Sequence, residues 1–229
     1  MSKKVELKLD ERLIEFKQSL YVKMLEHLTV TIPARIEEFQ KLSGPYKGQE
    51  DLYSLNKDID MKEKKRKTME ISEMDSIPLE ELVKTNTTIF EIHRTFKKHY
   101  IELIDTFSVI RSWINLNIPK IEDGNNFGVD IQEDVLQQVS KLEEAYTSLL
   151  DQSENYFLNR ASTVKKALKH REIDAYKYAI IQQDEKELIR FHFSYFDLAS
   201  NYATTYSLII KNFQKVEQPR PTNQGTNIY

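Results

Sequence analysis

The chain contains no cysteine. That removes disulfides, thiolate metal sites and cysteine nucleophiles together. It has only five glycines and six prolines in 229 residues, too few for a loop-rich or collagen-like architecture. No apolar run reaches the roughly 20 residues that a membrane-spanning helix needs. The opening Met1-Ser2-Lys3-Lys4-Val5-Glu6 lacks the apolar core of a secretory signal. Neither sign of charge dominates. Lys and Arg number 33 against 36 Asp and Glu, a net charge of −3, so there is no basic excess to displace counterions from a nucleic acid. The expectation is a soluble intracellular protein, in the nucleus, the cytoplasm or both, with neither nucleic acid nor membrane as partner. Asn86-Thr87-Thr88 has the form of a glycosylation sequon, but that targeting logic leaves it unmodified.

What the chain does have is helix. Forty per cent of it is apolar and thirty per cent charged, the balance of a folded helical protein. Glycines and prolines fall near proposed boundaries, with Pro33 as the ambiguous one. A first helix is predicted over about 10–42, with Leu13, Phe16, Leu20, Met24 and Leu28 on one face and a break or kink at Pro33. Residues 43–75 carry dense charge and little apolar periodicity, which reads as a mobile linker. A second helix is predicted from near Ser76, with Pro78 in its first turn, where a missing N–H costs least. Its stripe is Leu79, Leu82, Asn86, Ile89, His93, Phe96, Tyr100, Leu103, Phe107, Ile110 and Ile114, and Pro119 stops it. At 1.5 Å per residue this is a rod about 60 Å long, which needs equally long partners.

Asp130 and Glu133 have capping-box spacing and predict the start of a third helix, lined by Val135, Val139, Leu142, Tyr146, Leu149, Tyr156, Val164 and Ala167. After a turn near Lys169-His170-Arg171 a fourth is lined by Ile181, Leu188, Phe191, Tyr195, Leu198, Tyr202, Ile209 and Phe213. It ends near residue 218, ahead of Pro219 and Pro221, leaving a tail over 219–229. The fold class is therefore all-α: one domain over 1–229, an antiparallel four-helix bundle of long helices. The helix count also places the connection between the second and third helices at the same end as the tail.

That connection, Lys120-Ile121-Glu122-Asp123-Gly124-Asn125-Asn126-Phe127-Gly128-Val129, is over-built for a turn and holds two of the five glycines. Gly and Asn supply the backbone angles of a compact, shaped loop. Reaction chemistry is harder to find. None of the five histidines has Glu three residues before it, which removes the di-iron pattern of helical bundles. His93 lies on an apolar stripe and reads as a hydrogen-bonded core histidine. No phosphate-cradling glycine loop, nucleophile elbow or zinc spacing occurs. Catalysis, metal and cofactor are not expected. Lys62, Lys64, Lys65, Arg66 and Lys67 fit either a nuclear localisation signal or a solvated charge cluster.

The stretch from Trp113 through Ile114-Asn115-Leu116-Asn117-Ile118-Pro119 and the loop to Asp130-Ile131-Gln132-Glu133 resembles the activation-loop region of the 11S (REG) proteasome activators. Asp184-Glu185-Lys186-Glu187, residues 208–216 and Pro219-Arg220 extend the resemblance along the fourth helix. The basic linker and the close loop match point toward the gamma-type branch. The turn at Lys169-His170-Arg171 lacks a proline often found there, and the chain ends on Tyr229 rather than carrying Tyr one place earlier, as ATPase-type activators do. The resemblance implies a subunit of a homo-heptameric ring that docks on the α-subunits of the 20S proteasome. It further implies an activation loop formed by Glu122, Asp123, Gly124, Asn125, Asn126, Phe127 and Gly128, and a docking tail ending Asn227-Ile228-Tyr229. Gate opening would then be ATP-independent. The competing expectation is a helical scaffold or adaptor in which the loop is a mere connector.

Overall fold

A computed structural model describes residues 10–43, 78–121, 124 and 126–220. The linker, the basic cluster Lys62 to Lys67, and the tail residues Asn227, Ile228 and Tyr229 lie outside the described residues. Among the described residues the regular structure is helical throughout: α1 (Glu11–Glu26), a π turn (His27–Thr31), α2 (Ile32–Ser43), α3 (Leu79–Leu82), α4 (Thr87–Asn117), α5 (Phe127–Lys169) and α6 (Ala175–Glu217). They form an all-α helical bundle without strands.

Pro33 neither ends nor interrupts the first helical run. It lacks an N–H, and its ring would crowd the carbonyl four residues back in an α-helix. The π turn before it widens the helix, with the Ile32 N–H donating to His27 C=O across five residues. The extra residue also corrects the register. Leu20, Met24, Leu28 and Ile32 advance by fours, which in an α-helix drifts about 40° per step. The wide turn takes some of that drift back, and all four are buried.

The helical segments group into two compact units. The first comprises residues up to Arg35, Glu102–Ala145 and Asn201 onward. Its core joins Leu20, Met24, Leu28 and Ile32 to Leu103, Phe107, Ile110, Trp113, Ile114, Val135, Val139, Leu142, Tyr202, Ile209 and Val216. Phe107 packs on Tyr202 with ring centroids 5.6 Å apart, and Tyr21 on Trp113 at 5.5 Å. Leu13 and Phe16, predicted on the buried face, are exposed at 38% and 53%. Tyr21 already meets Glu217, the last residue of α6, so the turns before it have little helix left to cover them.

The second unit comprises Ile36–Ile101 and Tyr146–Ser200. Phe39, Ile89, Phe96, Tyr100, Tyr146, Tyr156, Phe191 and Leu198 are buried in it. Leu79 of the short α3 packs in a cluster with Val164, Ala167 and Ile180. The expected unbroken rod from Ser76 is not what forms. The helix stops after Leu82 and restarts at Thr87, because Asn86 leaves the stripe and caps α4, its Oδ1 accepting from Ile89 N–H at 3.2 Å. The continuous part is 31 residues, about 46 Å. The register at the start of α6 also differs by one. Ile180 and Glu187 are buried where Ile181 and Leu188 were expected.

A polar network holds the break in place. The Asp184 carboxylate accepts from Arg160 Nε at 2.8 Å, Tyr156 Oη at 2.7 Å and Asn86 Nδ2 at 3.2 Å. The rest of the Arg160 guanidinium donates to the carbonyls of Lys84 and Leu82 at 3.0 and 3.1 Å. Burial opposes the charge on Arg160, but the hydrogen bonds and charge of Asp184 outweigh it and keep the group protonated. Burial first, and then Asp184, push the Tyr156 phenol far above its usual range, so it remains a donor. One turn along α6, His93 Nε2 lies 2.9 Å from Glu187 Oε1, off the axis of a hydrogen bond, and the ring sits edge-on to Phe191 at 4.7 Å. Glu187 is in turn paired with Arg190.

Arg160→Ala would leave the Asp184 charge without its partner, so a loss of about 3–5 kcal/mol in unfolding free energy is expected from urea denaturation. Adding Asp184→Asn should recover part of that loss. A single-variant cost below about 1 kcal/mol, the worth of a surface pair, contradicts the assignment.

Candidate functional site

The end of the first unit where α4 stops, α5 starts and α6 stops is held by polar side chains on amphipathic helices. Pro119 ends α4 two residues after Asn117. Asn117 then turns its amide onto the last turn of α6, donating to Val216 C=O at 3.0 Å and Glu217 C=O at 2.8 Å. These carbonyls are among the four that a helix leaves without internal partners. Gln132, fully buried on α5, donates to the same Val216 carbonyl at 2.8 Å. Tyr21 of α1 donates to the Glu217 carboxylate at 2.5 Å, and that bond raises its phenol pKa. Four helices are thus tied at one end.

The described part of the connecting loop rises from this base. Helix α5 begins at Phe127, three residues earlier than expected, because the backbone carbonyl of Asn126 accepts from the N–H groups of Val129 and Asp130 at 2.8 and 3.0 Å. Asp130 therefore sits inside the first turn, where its charge suits the helix dipole, rather than capping ahead of it. Gly124 has φ +126°, a backbone angle that side-chain-bearing residues rarely adopt. Ile118, Ile121 and Phe127 expose apolar side chains around the loop, Ile121 completely.

The chain leaving α6 lies against this loop. A Cβ built on Gly128 would meet the Pro219 carbonyl oxygen at 2.0 Å and its carbonyl carbon at 2.6 Å, so only glycine admits the approach. Arg220 donates through one terminal nitrogen to Lys120 C=O and through the other to Asn126 Oδ1, both at 2.7 Å. Of the seven residues predicted for the loop, Gly124, Asn126, Phe127 and Gly128 are described, and of these Asn126 and Gly128 meet the outgoing chain. Glu122, Asp123 and Asn125 lie outside the described residues. Sequence reasoning missed the parts played by Asn117, Gln132 and Arg220. Gln132 was detectable: it occupies a stripe position ahead of Val135, Val139 and Leu142, where a polar residue must find a partner.

Among the described residues no group of His, Asp or Glu is arranged to hold a metal ion, and no helix is long and apolar enough to cross a membrane. The arrangement has cross-linked, hydrogen-bonded helix ends and a shaped loop with exposed apolar side chains. Fold and site together define a helical-bundle subunit that presents a braced loop beside its outgoing C-terminal segment.

Residues 82–226 match the family model described as proteasome activator PA28, C-terminal. A relative from Dictyostelium discoideum, Proteasome activator 28, is 59% identical over 223 residues, covering 97% of this chain and 96% of the relative. Human Proteasome activator complex subunit 3 is 34% identical over 145 residues, 63% of this chain and 57% of the human protein. The chain belongs to the PA28 proteasome activator family. Among solved structures, the 11S subunit of the Plasmodium falciparum proteasome, PA28, superposes with a TM-score of 0.78 at 29% identity, covering 96% of this chain and all of that one. A structure of the yeast 20S proteasome with the activator PA26 from Trypanosoma brucei gives 0.63 at 16% identity, over 95% of this chain and 98% of that one. At that identity the likeness speaks to the fold alone.

Asn117→Ala should free the Glu217 carbonyl, leave Val216 C=O to Gln132 alone, and cost about 1–2 kcal/mol by chemical denaturation, with faster amide exchange in the last turn of α6. An unchanged exchange rate there would remove Asn117 from the brace.

Proposed function

We propose that this chain is an ATP-independent activator of the 20S proteasome, acting as a subunit of a heptameric ring. The ring docks on the proteasome α-subunits through tails ending Asn227-Ile228-Tyr229, and the loop centred on Asn125 opens the gate. The observation that carries this reading is the joining of loop and tail root at one end of the first unit by Arg220 and the Gly128–Pro219 approach. Family membership supplies the target.

The physics favours a division of labour. One short flexible tail loses conformational entropy on docking and binds weakly alone. Seven tails on one ring bind with avidity, since each later insertion is effectively intramolecular. Opening a gate requires a stiffer element, and the loop stands on a braced set of helix ends. Ring formation is supported by the apolar side chains exposed on the second unit, including Phe90, Leu158, Phe193 and Phe196, which further copies would cover. The chain performs no chemistry itself in this reading, and the nucleus or cytoplasm is where it would meet its target. A scaffold in which the loop only connects helices has no use for a cross-linked loop and tail root.

Added to 20S proteasome without nucleotide, the assembled chain should speed hydrolysis of small fluorogenic peptides; no stimulation by an intact ring rejects the proposal. Native mass should give a closed heptamer rather than a monomer or dimer. Asn125→Tyr should co-sediment with the proteasome yet fail to stimulate it. Deleting residues 227–229 should abolish co-sedimentation, and unchanged binding would refute the tail assignment.

A further inference from the structure

Arg220 faces two ways. One terminal nitrogen bonds the carbonyl of Lys120, where the chain enters the loop, and the other bonds the side chain of Asn126, where it leaves. The guanidinium is planar and its donors keep a fixed separation, so the two bonds together set the spacing of the loop's legs. A single flexible cation would hold one leg and leave the other free.

The backbone on either side of Arg220 is constrained as well. Pro219 fixes its own φ, and its carbonyl presses on Gly128 so closely that no side chain fits between. Gly128 lies in the first turn of α5 and, unlike Gly124, does not have a positive φ. Its demand for glycine therefore comes from this approach alone, an observation independent of the Arg220 bonds. Pro221 follows in the sequence, which biases the Arg220 backbone toward extended angles. A force or constraint on the tail is therefore delivered directly to both legs of the loop.

We propose that Arg220, seated by the Pro219–Gly128 contact, is a positioning residue that couples docking of the tail to placement of the loop. The proposal rests on the activator function above and adds a link between its two parts. The tail anchors the ring, and it also holds the loop in the geometry that acts on the gate. Arg220 works through the loop and need not touch the proteasome.

The test uses full-length wild type, Arg220→Ala, Arg220→Lys and Gly128→Ala, each checked for helical content and native mass. Each is titrated against 20S proteasome with a fluorogenic peptide, reading maximal stimulation and the concentration that gives half of it. Arg220→Ala should keep the half-maximal concentration near wild type and lower maximal stimulation by about fivefold or more, a modest coupling between sites. Arg220→Lys should recover part of the maximum, since an ammonium can serve one acceptor but not the fork. Gly128→Ala should fall in the same direction by displacing Pro219. Wild-type stimulation by Arg220→Ala overturns the coupling, as does a loss seen only in the half-maximal concentration, which would make Arg220 a docking residue. A wild type that fails to stimulate overturns the activator function itself, so the two failures are distinct.

Discussion

One backbone carbonyl organises the loop-bearing end of the first unit. Val216 C=O accepts from Asn117 at 3.0 Å and from Gln132 at 2.8 Å, and through it the end of α4, the start of α5 and the end of α6 are held together. A carbonyl has two lone pairs, and in the last turn of a helix neither has an internal partner. Filling both from neighbouring helices turns an end that would otherwise fray into a fixed platform. Gln132 is fully buried, where a hydrogen bond is stronger and an unmade one more costly. The loop's geometry, the place where the C-terminal segment leaves, and the approach of Pro219 to Gly128 all presuppose that platform.

The second unit uses buried polarity differently. Asp184 is engaged by Arg160, Tyr156 and Asn86, and Arg160 spends its remaining donors on the carbonyls of Leu82 and Lys84. A carboxylate so occupied holds a helix break closed rather than awaiting a substrate. The Asp184 to Glu187 string carried part of the resemblance to proteasome activators, and its structural use here is to set how α6 meets α4 and α5. Rigidity in one unit and a shaped, partly apolar end in the other suit a protein whose task is to press on a partner.

Much of this was legible in the residues because long helices write their buried face at fixed spacing. The stripes through Leu103, Phe107, Ile110 and Ile114, and through Val135, Val139 and Leu142, are buried as periodicity predicts. Helix ends were less legible. Asn86 fits the stripe by spacing, yet Asn competes for backbone N–H groups and caps instead. Asp130 and Glu133 have the spacing of a cap, yet the carbonyl of Asn126 starts the helix first. Leu13 and Phe16 continue the pattern of α1 past the point where other helices can cover them. Arg220 was invisible for another reason. Its two acceptors lie 100 and 94 residues away, and such contacts leave no periodic trace. Pro219 and Pro221 read as a helix stop and Pro219-Arg220 as part of the resemblance, and neither reading names the acceptors.

The central claim is that the chain meets the proteasome through the loop and the segment leaving α6. Hydrogen exchange of the assembled full-length chain, alone and bound to 20S proteasome, tests it most directly. The account predicts added protection concentrated in peptides covering residues 118–130 and 216–229. Protection concentrated instead in residues 83–86 and 170–175, with the loop and tail unchanged, would contradict it.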